Sequence, residues 1–257
     1  GYIYSVPKKG YYVSKLRKPE VNLKHKENNS ERLIPVKRVY TADLSDNRTD
    51  SSKFPFSVWA RLMRGVIGSM STELMTPPPT GGVRALREAI AWHLKSFRGI
   101  YADPENIIVG AGTEYLYGLI IQLLGSDKIY CIEDPGYKKL MRIYSEYGVE
   151  CRYARLDEHG IRAEELTALN AGVAHISPTH HFPTGISMPA ARRYELLDWA
   201  AASYERYIIE DDYDSEFRQN GRPVPPLISM DTAGKVIYMN TFSKSLTPTI
   251  RISYMVL

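Results

Sequence analysis

Apolar positions recur along this chain in two rhythms. Over residues 56–70, 83–98, 114–124, 137–147, 162–169 and 190–204 they return every three to four positions, the period of one helix face. Between these stretches lie short runs rich in β-branched and aromatic residues, at 106–110, 128–133, 151–155, 173–177, 206–210, 235–239 and 250–256. Alternation of the two patterns predicts an α/β fold, a mostly parallel seven-stranded sheet flanked by helices. In an open sheet of this kind ligands bind beyond the carboxyl ends of the strands, so the residues following each strand carry the functional signal. No internal repeat is visible.

The first forty residues follow neither rhythm. Residues 2–13 read as a hairpin, with Tyr2-Ile3-Tyr4-Ser5-Val6 and Tyr11-Tyr12-Val13 on either side of a turn at Pro7-Lys8-Lys9-Gly10. Two strands alone are marginal in water, so the hairpin is expected to belong to a module lying mostly upstream of Gly1. Residues 14–38 are polar and aperiodic, include Asn28-Asn29-Ser30, and read as a linker.

Composition narrows the class. With 257 residues, 24% charged and 44% hydrophobic, the chain is of a soluble globular type, neither collagen-like nor globally disordered. The net charge of +4 is uneven. Residues 1–38 hold ten Lys or Arg against three acids, a net of +7, which leaves −3 for the remainder. A basic arm fits nucleic-acid contact; on charge alone, a solvated, extended linker is the simpler reading. Cys131 and Cys151 cannot build a disulfide framework and are expected to be buried free thiols in a reducing cytoplasm. The longest apolar stretch, 116–124, is interrupted by Tyr117 and Gln122, which excludes a transmembrane helix. The N-terminus has no signal-peptide pattern and no initiator Met, so Gly1 is not expected to be the native start.

Each strand end then offers chemistry. After 106–110 comes Ala111-Gly112-Thr113-Glu114, small residues opening a helix whose free N–H groups suit an anion, although by itself such a turn more often simply connects two elements. After 128–133 comes Asp134-Pro135-Gly136-Tyr137, where Tyr137 either stacks on a flat ligand or caps the core. After 173–177 comes a Pro-framed loop containing His180 and His181. Adjacent histidines point apart on an extended chain, and no Cys or third His stands at ligand spacing, so a cleft-lining loop is preferred to a metal site. After 206–210 come Asp211, Asp212, Tyr213, Asp214 and Glu216, an acidic run that reads as a solvated loop or a divalent-cation site, but because it begins where a buried strand ends Asp211 is expected at the bottom of the crevice. After 235–239 come Thr241, Ser243 and Lys244, with Arg251 seven positions later. One crevice would thus collect an amine, a carboxylate, an aromatic platform, a phenol and several phosphate donors, the inventory of a pyridoxal 5′-phosphate (PLP) site.

The motifs in this order resemble the fold-type I, aspartate-aminotransferase-like superfamily. The resemblance rests on Thr80 to Ile90 with its Leu86-Arg87 and Ala89-Ile90, Glu133-Asp134-Pro135-Gly136-Tyr137, Pro178 through Gly185, Glu210 through Phe217, and Thr241-Phe242-Ser243-Lys244. It implies that Lys244 bonds the cofactor covalently, Asp211 pairs with its pyridine nitrogen, Tyr213 bonds its phenolate oxygen and Tyr137 stacks on its ring. It further implies that Gly112, Thr113, Thr241, Ser243 and Arg251 hold the phosphate. One departure is clear. Common aminotransferases have Asn before Pro-Thr-Gly, whereas this chain has Phe182, and His180 or His181 is the candidate replacement.

That loop, with the Glu210-Asp211-Asp212-Tyr213-Asp214-Ser215-Glu216-Phe217 run, resembles MocR/GabR-type bacterial regulators. Such regulators join a GntR-type winged helix to an aminotransferase-like domain. The resemblance implies that residues 1–13 are the winged helix's terminal wing, 14–38 a basic linker, and 39–257 the large PLP-binding domain. It also implies that the last strand runs antiparallel, and that a small domain with the substrate-carboxylate arginine follows Leu257, so the chain reads as a fragment. The function expected is a cytoplasmic, homodimeric, PLP-dependent sensor of an amine or amino acid that binds DNA through its winged helix. The alternatives are an active aminotransferase using the same residues and a degenerate scaffold that binds no PLP.

Overall fold

The computed structural model describes residues 3–14, 41, 50–217 and 224–257. The chain divides into two compact units, Gly1–Asp46 and Asn47–Leu257. The first holds the expected hairpin, β1 (Ile3–Val6) antiparallel to β2 (Gly10–Val13). Tyr4 faces Tyr12 across it, and their rings stack at 5.8 Å between centroids. Beyond Ser14, the sequence-predicted linker lies outside the described residues.

The second unit opens with α1 (Phe56–Ser69), α2 (Ser71–Leu74) and α3 (Arg84–Arg98). It continues as β3 (Ile107–Gly110), α4 (Thr113–Leu124), β4 (Tyr130–Asp134), α5 (Lys139–Glu146), β5 (Cys151–Asp157), β6 (Gly160–Ile161), α6 (Ala163–Ala168) and β7 (Val173–Ile176). It ends as α7 (Ala190–Ala201), β8 (Tyr207–Asp211), α8 (Leu227–Met230), β9 (Val236–Thr241), α9 (Phe242–Ser245) and β10 (Ser253–Val256).

One sheet takes the order β3-β10-β9-β8-β7-β4-β5-β6. Strands β5, β4, β7, β8 and β9 are parallel, while β10 runs antiparallel to both β3 and β9, as the resemblance implied. The sheet has eight strands rather than seven. The eighth, β6, pairs only Gly160 and Ile161 with the end of β5 and is too short to show alternation in the sequence. Several boundaries also move. Helix α5 begins at Lys139, leaving Tyr137 in the preceding loop, and α7 stops at Ala201. Strand β10 begins only at Ser253, because Arg251 takes a left-handed φ of 55° that a strand cannot hold.

Both faces of the sheet are covered. Ile208 and Ile209 point to opposite sides of β8, and each is fully buried. Ile209 joins Ile132, Val173, Ile237 and Met239 under α4 and α5. Ile208 joins Cys131, Ala174, Ile176 and Val236 under α6 and α7. Burial on both sides explains why these strands read as unbroken apolar runs. A third cluster packs Ile90 and Leu94 of α3 on Ile107, Tyr238, Tyr254 and Val256. Cys131 is buried as expected, but Cys151 is only half-buried, and both thiols are free. No helix among the described residues is long and apolar enough to cross a membrane.

Candidate functional site

The sheet register brings the sequence-predicted residues to one end of the strands. Gly110 at the end of β3 pairs with Ser253 at the start of β10, and Ser253 pairs with Thr241 at the end of β9. Past Gly110, Gly112 adopts φ 101° and leads into Thr113, the first residue of α4. A Cβ on Gly112 would lie 2.3 Å from Arg251 Nη2, so only glycine lets the guanidinium lie over this turn. On the neighbouring strand end, Thr241 Oγ1 accepts from the Ser243 N–H (3.2 Å) and the Ser253 hydroxyl (2.9 Å), and donates to Ser243 Oγ (3.0 Å). Guanidinium, hydroxyls and the N-terminus of the 12-residue α4 together make an anion-attracting corner.

Asp211 closes β8 beside this corner, paired with Met239 of β9. Its Oδ2 accepts from the Tyr117 hydroxyl (3.0 Å) and lies 3.5 Å from His175 Nε2. Its Oδ1 is buried without a hydrogen-bond partner. The next residue goes the other way: Asp212 meets Arg98 Nη2 at 2.8 Å and accepts from the Tyr238 hydroxyl at 2.7 Å on the opposite side of the sheet.

Beyond β8 the loop residues pair with the β7 loop. His180 Nδ1 is 2.6 Å from Asp214 Oδ2, and the His180 ring stacks on Tyr213 at 6.4 Å. Burial pushes the Tyr213 phenol up, and also raises the Asp214 carboxyl, against the pull of His180 and of the Lys244 charge. Lys244 itself is exposed on α9. His181 turns into the body of the protein, where it is buried. Its Nδ1 is 2.7 Å from Thr184 Oγ1 and its Nε2 is 3.4 Å from Glu133 Oε2. Burial holds the His181 ring below its usual pKa and pushes the Glu133 carboxyl up to about 8, although Glu133 Oε2 accepts from the Ser177 N–H at 2.9 Å. Tyr137 stands exposed in the loop after β4. Among the described residues, no group of three or more His, Cys, Asp or Glu is arranged to hold a metal ion.

Several site residues were not found by reading strand ends. Tyr117 had a usable signal: it follows Thr113 by four positions, one helical turn along the same face. His175 had none, since it lies inside a strand and reaches the site only through packing, and Glu133 was marked in the sequence only as the first residue of the Glu133-to-Tyr137 motif.

A family model, aminotransferase class I and II, matches residues 43–256. The uncharacterized HTH-type transcriptional regulator YdeL of Bacillus subtilis (strain 168) is 39% identical over 84% of this chain and 46% of its own length. The HTH-type pyridoxine biosynthesis transcriptional regulator PdxR of Corynebacterium glutamicum is 34% identical over 83% of this chain and 46% of its own. The chain thus spans about half the length of these curated relatives. Among solved structures, the kynurenine aminotransferase of Pyrococcus horikoshii, crystallised in complex with PMP, is 27% identical, with a TM-score of 0.73 over 84% of this chain and 56% of its own.

These relationships imply a PLP cofactor, and the residues fit one. Asp211 offers a buried carboxylate oxygen without a partner, the acceptor a protonated ring nitrogen needs. The turn at Gly112, with the Arg251 guanidinium lying directly over it and the N-terminus of α4 following, gathers donors that suit a phosphate. With the sheet order, the strand-end residues and the match over 43–256 in agreement, the chain belongs to the aminotransferase class I and II family.

Proposed function

We propose that this chain is the PLP-binding, aminotransferase-like effector part of a GntR/MocR-type transcription regulator. The observation that carries the cofactor reading is the divided Asp211 carboxylate, one oxygen held by Tyr117 and the other buried and unmatched. The regulator reading is supported by helix-turn-helix relatives 39% and 34% identical to this chain. When bound, PLP supplies an aldehyde carbon that bonds an amine and a ring that draws electron density from it.

The residues take these roles. Lys244 is the amine that holds the cofactor covalently. Asp211 Oδ1 would accept from the cofactor's protonated pyridine nitrogen, and Tyr213 would donate to its phenolate oxygen. Tyr137 covers the ring. The Gly112 N–H, Thr113, Thr241, Ser243 and Arg251 hold the phosphate. His180, oriented by Asp214 and stacked on Tyr213, takes the side left open by Phe182. His181, tied to Thr184 and beside Glu133, supports the loop. An amine or amino-acid effector reaching this crevice would compete with the Lys244 amine and so bias the geometry that DNA binding by the complete, cytoplasmic protein depends on. A homodimer is supported by α1, where Trp59, Leu62, Met63, Val66 and Ile67 form an exposed apolar face with no buried residue.

The full-length protein mixed with PLP is expected to gain a visible absorbance band that Lys244→Ala abolishes. Borohydride reduction and peptide mapping should tag Lys244, and a tag on another lysine overturns the assignment. Operator affinity is expected to change on adding PLP and an amine. A second reading, a turnover aminotransferase, is supported by the 27% identity to the aromatic-amino-acid aminotransferase 1 of Thermococcus litoralis. Steady Lys244-dependent turnover with an amino acid and an oxo-acid would favour it.

A further inference from the structure

Behind Asp211 stand two buried side chains that the cofactor reading leaves without a role. Tyr144 of α5 and His175 of β7 are 0% and 2% exposed. The Tyr144 hydroxyl is 2.6 Å from His175 Nδ1, and His175 Nε2 is 3.5 Å from Asp211 Oδ2. The three residues form a file running from the helix layer to the end of β8.

The protons in this file follow from counting donors and acceptors. Burial pushes the Tyr144 phenol well above its ordinary range, so it keeps its hydrogen. If His175 carried its proton on Nδ1, that N–H would point at the phenol oxygen and the phenol hydrogen would lose its acceptor. The Nε2 lone pair would then face a carboxylate oxygen. Each is a buried polar group left unsatisfied, the costly case. With the proton on Nε2, the phenol donates to Nδ1, and the buried N–H, which makes no hydrogen bond among the described residues, points its positive hydrogen at the Asp211 carboxylate instead of a lone pair. At 3.5 Å this second contact is longer than an ordinary hydrogen bond, so its effect is electrostatic first.

From this we infer that Tyr144 locks His175 in the Nε2–H tautomer, and that His175 is a positioning residue for Asp211. Together with Tyr117 it directs positive hydrogen toward Oδ2 and leaves Oδ1 for the ring nitrogen. The last step rests on the PLP reading above; the tautomer does not.

The test begins with the full-length protein free of cofactor, labelled with ¹⁵N-histidine, the His175 signals being those lost in His175→Gln. The expected pattern is a neutral ring with its proton on Nε2 and a hydrogen-bonded Nδ1. In Tyr144→Phe the Nδ1 signal should move to that of an unbonded nitrogen. A proton on Nδ1, or a doubly protonated ring at neutral pH, overturns the inference. PLP titrations then test the consequence. Tyr144→Phe should weaken binding about threefold to tenfold, the worth of one hydrogen bond. His175→Leu should weaken it further, and His175→Gln, which retains an N–H in place of Nε2, should recover most of the loss. Equal losses in His175→Leu and His175→Gln overturn the positioning role. Asp211→Asn is the control for the cofactor reading: unchanged PLP binding there sinks that reading and leaves the tautomer result standing.

Discussion

Asp211 and Asp212 differ by one position and serve opposite sides of the sheet. Strand alternation turns Asp211 toward Tyr117 and the crevice, while Asp212 lies against Arg98 and Tyr238 in the interior. Their variants should therefore separate. Asp211→Asn is expected to lower PLP affinity about tenfold or more, the scale of a charge-assisted hydrogen bond, with little change in stability. Asp212→Ala is expected to cost about 3–5 kcal/mol of stability, because it strands the buried Arg98 guanidinium. PLP titration and denaturant unfolding of the two variants check both halves. Glu133 gives a pH dependence of definite sign. Its carboxyl titrates near 8 when folded against an ordinary 4.5, so between these values the unfolded chain sheds a proton that the folded one retains. Stability is unpenalised below pH 4.5, falls as pH rises toward 8, and levels off above it, for a total on the order of a few kcal/mol. Glu133→Gln should flatten that fall, as read from denaturant unfolding at pH 5 and pH 8.5.

The elements act as holders for these residues. Strands β3, β9 and β10 bring Gly110, Thr241 and Ser253 side by side, and the turns beyond them deliver Gly112 and Arg251. That turn combines a left-handed φ with an approach too close for any Cβ. Gly112→Ala is therefore expected to destabilise by about 1–2 kcal/mol and to push Arg251 off the turn. The decisive measurement is phosphate-dependent PLP affinity compared with affinity for pyridoxal, since only the phosphorylated form should lose binding. Helix α4 contributes twice, through its N-terminus at Thr113 and through Tyr117 one turn on. Helix α5 carries only Tyr144 toward the site, by way of His175.

At the scale of the whole molecule, the hairpin and the α/β unit are distinct bodies with different charge, since the basic residues concentrate in the first 38 positions. Lys8 and Lys9 at the hairpin turn suit phosphate contacts, which position a protein on DNA without reading sequence. Residues 1–257 alone are expected to bind duplex DNA weakly, without operator preference, and to lose binding steeply as salt rises. Electrophoretic shifts with operator and scrambled duplexes at two salt concentrations check this, and a preference for operator would overturn it. Much of the design was legible in the chain itself. The two apolar rhythms determine helices and strands, because each period fixes which side chains share a face. Small and polar residues just past apolar strands mark the site, because an open sheet has its crevice there. Gly112, Asp211, Lys244 and Arg251 were expected at the crevice on that ground, and they stand at or beyond the ends of β3, β8 and β9. The two-residue β6 was not, being too short to carry a period. The fate of His180 and His181 was also undecided, since only packing sends one to Asp214 and the other to Glu133 and Thr184. The file from Tyr144 through His175 to Asp211 was invisible for the same reason. Its members are 31 and 36 positions apart and lie on a helix and two strands. Local sequence fixes what each element is and which face it buries, but which side chains meet behind the sheet depends on strand order, and that is decided only when the elements pack.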